Sequence, residues 1–106
     1  MNTAPVEASV GDVRDAVTDG GALLVDVREP WEYEQQRIPG AVLIPMAQVP
    51  ARLAEFPADR DVYVHCKMGA RSARVVEYLR SKGLERTVNV AGGLDAWVEA
   101  GLPVEP

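Results

Sequence analysis

Four short runs constrain this chain more than anything else in it: Ala22-Leu23-Leu24-Val25-Asp26-Val27, Ala41-Val42-Leu43-Ile44, Asp61-Val62-Tyr63-Val64-His65 and Thr87-Val88-Asn89-Val90. They are brief and rich in β-branched residues, which suits extended backbone. The first is apolar on both faces apart from Asp26, so it reads as a strand covered on both sides, as in a parallel sheet. Helical spacing fills the intervals. Val10, Val13 and Val17 form one stripe, and Ala73, Val76 and Leu79 form another between Arg71 and Lys82. A last helix is expected around Leu94, Trp97 and Val98. Ser9 and Asp12 resemble a capping box with Asp in place of Glu. Asp19-Gly20-Gly21, Gly83 and Gly101 are stop signals. Trp31 to Gln36 reads as one helical turn after Pro30, and Ile38-Pro39-Gly40 as a turn. Pro50 fits the first turn of a short helix through Phe56, where a missing N–H costs nothing. Strands alternating with helices define an α/β domain with a mainly parallel sheet. No repeat, low-complexity stretch or linker divides residues 1–106, so one domain is expected. Residues 1–7 read as a loose N-terminal segment and Leu102 to Pro106 as a tail.

Composition narrows the function. A length of 106 residues with 47% hydrophobic side chains supports one core. The net charge of −5 argues against nucleic acid, and an anionic substrate would need a local positive spot. One cysteine and one histidine exclude an intramolecular disulfide and supply too few ligands for structural zinc. No metal or cofactor is expected. No apolar run approaches the roughly 20 residues of a membrane span, and the N-terminus lacks a basic-then-apolar leader. A cytoplasmic, monomeric domain without membrane partners is the expectation.

The chemistry concentrates in His65-Cys66-Lys67-Met68-Gly69-Ala70-Arg71-Ser72. A cysteine between a strand and a helix start can face several backbone N–H groups, and the helix N-terminus adds partial positive charge. Lys67 and Arg71 add cations. Cysteines in such settings are thiolates at neutral pH or close to it. Gly69 lets the loop curl. A buried structural cysteine is the competing reading, but Lys, Gly and Arg would not follow a core cysteine. His65 precedes Cys66 in a strand, so the two side chains point to opposite faces and His65 reads as packed rather than as a proton shuttle.

Three separate stretches resemble the rhodanese family. They are Asp26-Val27-Arg28-Glu29-Pro30-Trp31-Glu32-Tyr33 with Ile38-Pro39-Gly40-Ala41 and Ile44-Pro45, then Cys66 to Ser72, then Gly92-Gly93-Leu94-Asp95-Ala96-Trp97. One departure is Gln36-Arg37, where the family usually has Gly-His. The resemblance implies a three-layer α/β/α fold with a five-stranded parallel sheet. It implies transfer of sulfane sulfur from a small anionic donor such as thiosulfate to Cys66, and from there to cyanide or a thiol. Lys67, Met68, Gly69, Ala70, Arg71 and Ser72 would form the substrate-binding loop, their amides holding the persulfide and Arg71 with Lys67 holding the sulfonate. Asp26 and Arg28 would brace the sheet edge beneath it. Trp31, Tyr33 and Trp97 read as packing residues.

Three alternatives stay in view. Phosphatases of the same architecture place five residues between Cys and Arg, whereas only Lys67, Met68, Gly69 and Ala70 intervene here. A binding module without turnover would commonly lack the cysteine. A sulfur relay between proteins, feeding cofactor or tRNA synthesis, uses the same Cys66 chemistry.

Overall fold

The computed structural model describes residues 6–106. The chain forms β1 (Glu7–Ala8), α1 (Val10–Thr18), β2 (Leu23–Asp26), α2 (Pro30–Gln35), β3 (Val42–Leu43), two 3-10 segments (Met46–Gln48 and Pro50–Glu55), β4 (Val62–His65), α3 (Ala70–Ser81), β5 (Thr87–Val90) and α4 (Gly93–Glu99). The five strands make one sheet in the order β1-β5-β4-β2-β3, and every pairing is parallel.

The expected strand runs are all present, and alternation along them builds two cores. Val25, Val62 and Val64 face one side, with Val75, Val76 and Leu79 of α3 and with Val49 and Phe56. Leu24 and Val90 face the other, with Val13 of α1 and with Leu94 and Trp97 of α4. Helices therefore cover both faces, which is why the strands lack a polar side.

The differences from expectation are local. The segment 1–7 lies mostly outside the described residues, but Glu7 belongs to β1. Asn89 N–H donates to the Val6 carbonyl at 2.7 Å and Ala91 N–H to the Ala8 carbonyl at 2.8 Å. The tail is also fixed: Arg37 and Glu105 exchange backbone hydrogen bonds of 2.8 and 2.9 Å. The buried face of α3 is Ser72, Val75, Val76 and Leu79, while Ala73 is exposed. Helix α3 begins at Ala70, so its inner face starts one residue earlier than the Ala73 stripe implies. The short helix expected from Pro50 through Phe56 is present as a 3-10 segment ending at Glu55, with Arg52 leaving helical geometry at φ −118°.

Candidate active site

The parallel sheet brings the carboxyl ends of β2, β4 and β5 to one edge. Asp26 ends β2 directly opposite His65, which ends β4. Cys66 follows at the next position, and Lys67 to Gly69 carry the chain into α3. Gly69 takes φ +110°, a conformation that disfavours any side chain, and this turns the backbone so that its amides face inward.

Those amides converge on the sulfur. Gly69 N–H donates to Cys66 Sγ at 3.1 Å and Ser72 N–H at 3.4 Å, and the Arg71 amide also bonds it. The Ser72 hydroxyl stands 3.3 Å from Sγ. Burial pushes the Cys66 thiol up, but the bonds from the Ser72 hydroxyl and the three amides outweigh it and hold the group below the ordinary thiol range. Cys66 is only 1% exposed, so the sulfur forms the floor of the loop. Such a cradle can hold a thiolate or the terminal anion of a longer sulfur chain.

Helix α4 supports the loop from behind. Leu94 N–H donates to the Cys66 carbonyl and Asp95 N–H to the Lys67 carbonyl, both at 2.9 Å. With their carbonyls satisfied there, these residues leave the loop's N–H side free to face the sulfur. Gly93 permits the approach: a Cβ on it would meet the Cys66 carbonyl oxygen at 2.5 Å and that of Lys67 at 2.7 Å, at φ +59°.

Beneath the loop lies a buried ion pair. Arg28 Nη2 donates to Asp26 Oδ2 at 2.8 Å and Nε to Oδ1 at 3.0 Å, and the Arg28 amide donates to Oδ1 at 3.0 Å. The remaining reach of Arg28 goes to the Gln36 carbonyl at 2.7 Å. Gln36 offers its carbonyl to Arg28 and lines a neighbouring groove, while Arg37, the other departure from the family pattern, pairs with Glu105 and lies over the Tyr33 ring. His65 is fully buried; its Nδ1 lies 3.1 Å from the Cys66 carbonyl and its Nε2 3.6 Å from Asp26 Oδ2. Burial pushes its pKa down against the pull of Asp26, so the ring is neutral. It bonds the backbone of Cys66 rather than the sulfur.

The loop's cations are not free. Arg71 makes a two-pronged pair with Glu32, Nη1 to Oε1 at 2.8 Å and Nη2 to Oε2 at 3.0 Å. Lys67 Nζ lies 2.7 Å from Asp95 Oδ1. The sequence suggests a positive spot, but each cation is matched by a carboxylate. The Arg71 guanidinium holds the Glu32 carboxyl well down, from an ordinary 4.5 to about 2. A groove of about 180 Å³ opens beside these pairs, lined by Arg28, Trp31, Glu32, Gln35, Gln36, Lys67, Leu94 and Asp95.

The expected loop residues are thus together, with unequal parts. Gly69, Arg71 and Ser72 touch the sulfur through backbone or hydroxyl. Met68 is 71% exposed, and Ala70 only opens the helix. Trp97 and Tyr33 pack, Trp97 Nε1 on the Pro103 carbonyl and Tyr33 Oη on the Ala41 carbonyl, both at 2.8 Å. Trp31 does not pack; it is 61% exposed, because α2 is a short rim helix that buries none of its residues. Sequence reading missed Glu32, Asp95, Gly93 and Asn89. Asn89 Oδ1 lies 2.6 Å from the Ser72 hydroxyl, and a polar residue in an otherwise apolar run was the available signal.

A cysteine cradled at a strand-to-helix turn, on a five-stranded parallel sheet, defines a rhodanese-type α/β domain. The rhodanese-like domain model matches residues 9–100, and the chain belongs to that family. A sulfurtransferase of Allochromatium vinosum is 46% identical over 82 residues, covering 77% of each chain. The putative sulfurtransferase YtwF of Bacillus subtilis is 36% identical, covering 86% of this chain and 88% of its own. A rhodanese-related protein of Thermoplasma volcanium superposes with a TM-score of 0.86 at 31% identity, over 95% and 98% of the two chains. Other curated relatives are longer, and this chain spans 24% to 60% of three of them.

Proposed function

We propose that this protein is a sulfurtransferase that carries sulfane sulfur on Cys66 as a persulfide. The convergence of three amides and a hydroxyl on one sulfur carries the reading. The Cys66 thiolate attacks the outer sulfur of the donor. A new S–S bond forms to Sγ, the donor's own S–S bond breaks, and its electron pair leaves on sulfite (from thiosulfate) or on a thiolate (from a persulfide). Cyanide or a thiol then attacks the outer sulfur and restores the Cys66 thiolate. Fixed donors around a small anion stabilise it without reorganisation, which is the contribution of the loop amides. The same bonds lower the Cys66 thiol from its ordinary value, so its ionisation is eased without a separate base. Asp26 and Arg28 are positioning residues beneath the loop.

Turnover of thiosulfate with cyanide and with a thiol acceptor tests this reading. Cys66→Ala is expected to abolish both activities, and retained activity in that variant would overturn the assignment. The matched cations favour a second reading within the same chemistry, a relay in which a persulfidated protein loads Cys66. Fast loading from a cysteine desulfurase beside slow turnover with thiosulfate supports the relay.

A further inference from the structure

Glu32 takes both terminal nitrogens of Arg71, a cation of the cysteine loop that could otherwise pair with an anionic donor. The two Glu32 oxygens hold the geometry a sulfonate or carboxylate ligand would take. The Glu32 side chain is 10% exposed and that of Arg71 35% exposed, so the carboxylate is mostly covered while the guanidinium keeps one side open to water. Glu29 N–H also donates to Glu32 Oε1 at 2.9 Å, which fixes the carboxylate in place. The other cation of the loop, Lys67, is held by Asp95. A dianion entering here meets an Arg71 already paired with Glu32 and a Lys67 paired at the surface with Asp95, on a chain of net charge −5. A persulfide whose outer sulfur carries no adjacent sulfonate meets no such obstacle and needs only the amide cradle.

We infer that Glu32 is a specificity-determining residue: by occupying Arg71 it disfavours sulfonate-bearing donors and reserves Cys66 for persulfidated thiols. This rests on the sulfur-transfer reading above. Glu32 does not touch the reacting sulfur; it acts through Arg71. In the favoured reaction the Cys66 thiolate attacks the outer sulfur of R–S–SH, a new S–S bond forms to Sγ, the donor's S–S bond breaks, and R–S⁻ leaves. The sulfane sulfur keeps its oxidation state, so no oxidant or reductant is needed.

The test compares wild type with Glu32→Gln, using thiosulfate and an alkyl persulfide whose alkyl group carries no charge as donors. Loading of Cys66 is followed by intact mass, and a thermal melt confirms the fold. Gln keeps the shape but surrenders the charge. The KM for thiosulfate is expected to fall about tenfold or more with kcat little changed, while loading from the alkyl persulfide stays within about twofold. Glu32→Asp, too short to hold both nitrogens yet still charged, is expected to lie between. In the Glu32→Gln background, Arg71→Met is expected to erase the gain. Unchanged or weaker thiosulfate use in folded Glu32→Gln overturns the inference, and so does an equal change with both donors. If Glu32→Gln does not fold, Glu32→Asp decides alone by the same KM comparison. No sulfur gain in any protein with either donor overturns the sulfur-transfer reading and this inference with it.

Discussion

Ser72 shows how little separates a packed residue from one that tunes reactivity. Its single hydroxyl proton faces three acceptors, Cys66 Sγ at 3.3 Å, the Gly69 carbonyl at 3.2 Å and Asn89 Oδ1 at 2.6 Å. Hydrogen bonds to an ionised acceptor are roughly twice as strong as neutral ones, so the hydroxyl favours the thiolate form of Cys66. Ser72→Ala is expected to move the thiol back toward its ordinary range and to slow alkylation at neutral pH about tenfold. A rate–pH profile superposable on wild type would contradict this. Arg28 presents a different case, because the Asp26 it satisfies is wholly buried. Arg28→Ala strands that carboxylate, and urea unfolding is expected to show a loss of about 3–5 kcal/mol. A loss below about 1 kcal/mol would mean that water or another donor replaces the guanidinium. Asp26 was legible in the sequence as the odd residue of an apolar run. Asn89 carried the same signal and was passed over. The Glu32–Arg71 pair joins residues 39 apart, and no local pattern encodes that distance.

At the scale of elements, the active loop depends on a helix that never reaches the sulfur. Helix α4 approaches closely enough to bond the Cys66 and Lys67 carbonyls only because residue 93 has no side chain. Gly93→Ala places a methyl against two backbone oxygens at positive φ. The expected cost is at least about 2 kcal/mol, with impaired sulfur loading. Gly20→Ala is the matched control. It also has positive φ, at +85°, but its Cβ would meet nothing within 4 Å, so only about 1 kcal/mol and unchanged loading are expected. Equal effects of the two substitutions, read by thermal melts and intact mass, would remove α4 from the account. The longer elements were legible because their periodicity is carried by buried side chains, as with Val75, Val76 and Leu79 in α3. Strand β1 has two residues, too few for any period to show, and its place is set by backbone pairing with β5.

For the whole molecule, the buried titratable groups give acid sensitivity a definite sign. The His65 pKa is lowered by burial, so the unfolded chain takes up a proton the folded one refuses, and stability declines as pH falls below about 6.5. Glu32 is depressed to about 2 by Arg71, so its contribution is complete above about 4.5 and is lost as pH falls from there toward 2. With partial solvent screening of Arg71, that loss is on the order of 2 kcal/mol. Urea midpoints measured from pH 7 to pH 3 are therefore expected to fall in two stages, and Glu32→Gln is expected to weaken the second, to which Glu55, also held down by Arg52, adds its part. A midpoint that holds or rises toward acid would contradict both assignments. Fold class was legible across the molecule because the strand runs and their order specify a parallel sheet. Charge balance at the loop was not, since Lys67 and Arg71 are visible in sequence while the carboxylates that match them come from α4 and α2. The central claim is that Cys66 bears the transferred sulfur, and intact mass after incubation with a sulfane-sulfur donor tests it most directly. The expected result is a gain of one sulfur atom, reversed by a thiol and absent from Cys66→Ser. An unchanged mass with both thiosulfate and an alkyl persulfide, or an equal gain in Cys66→Ser, would contradict it.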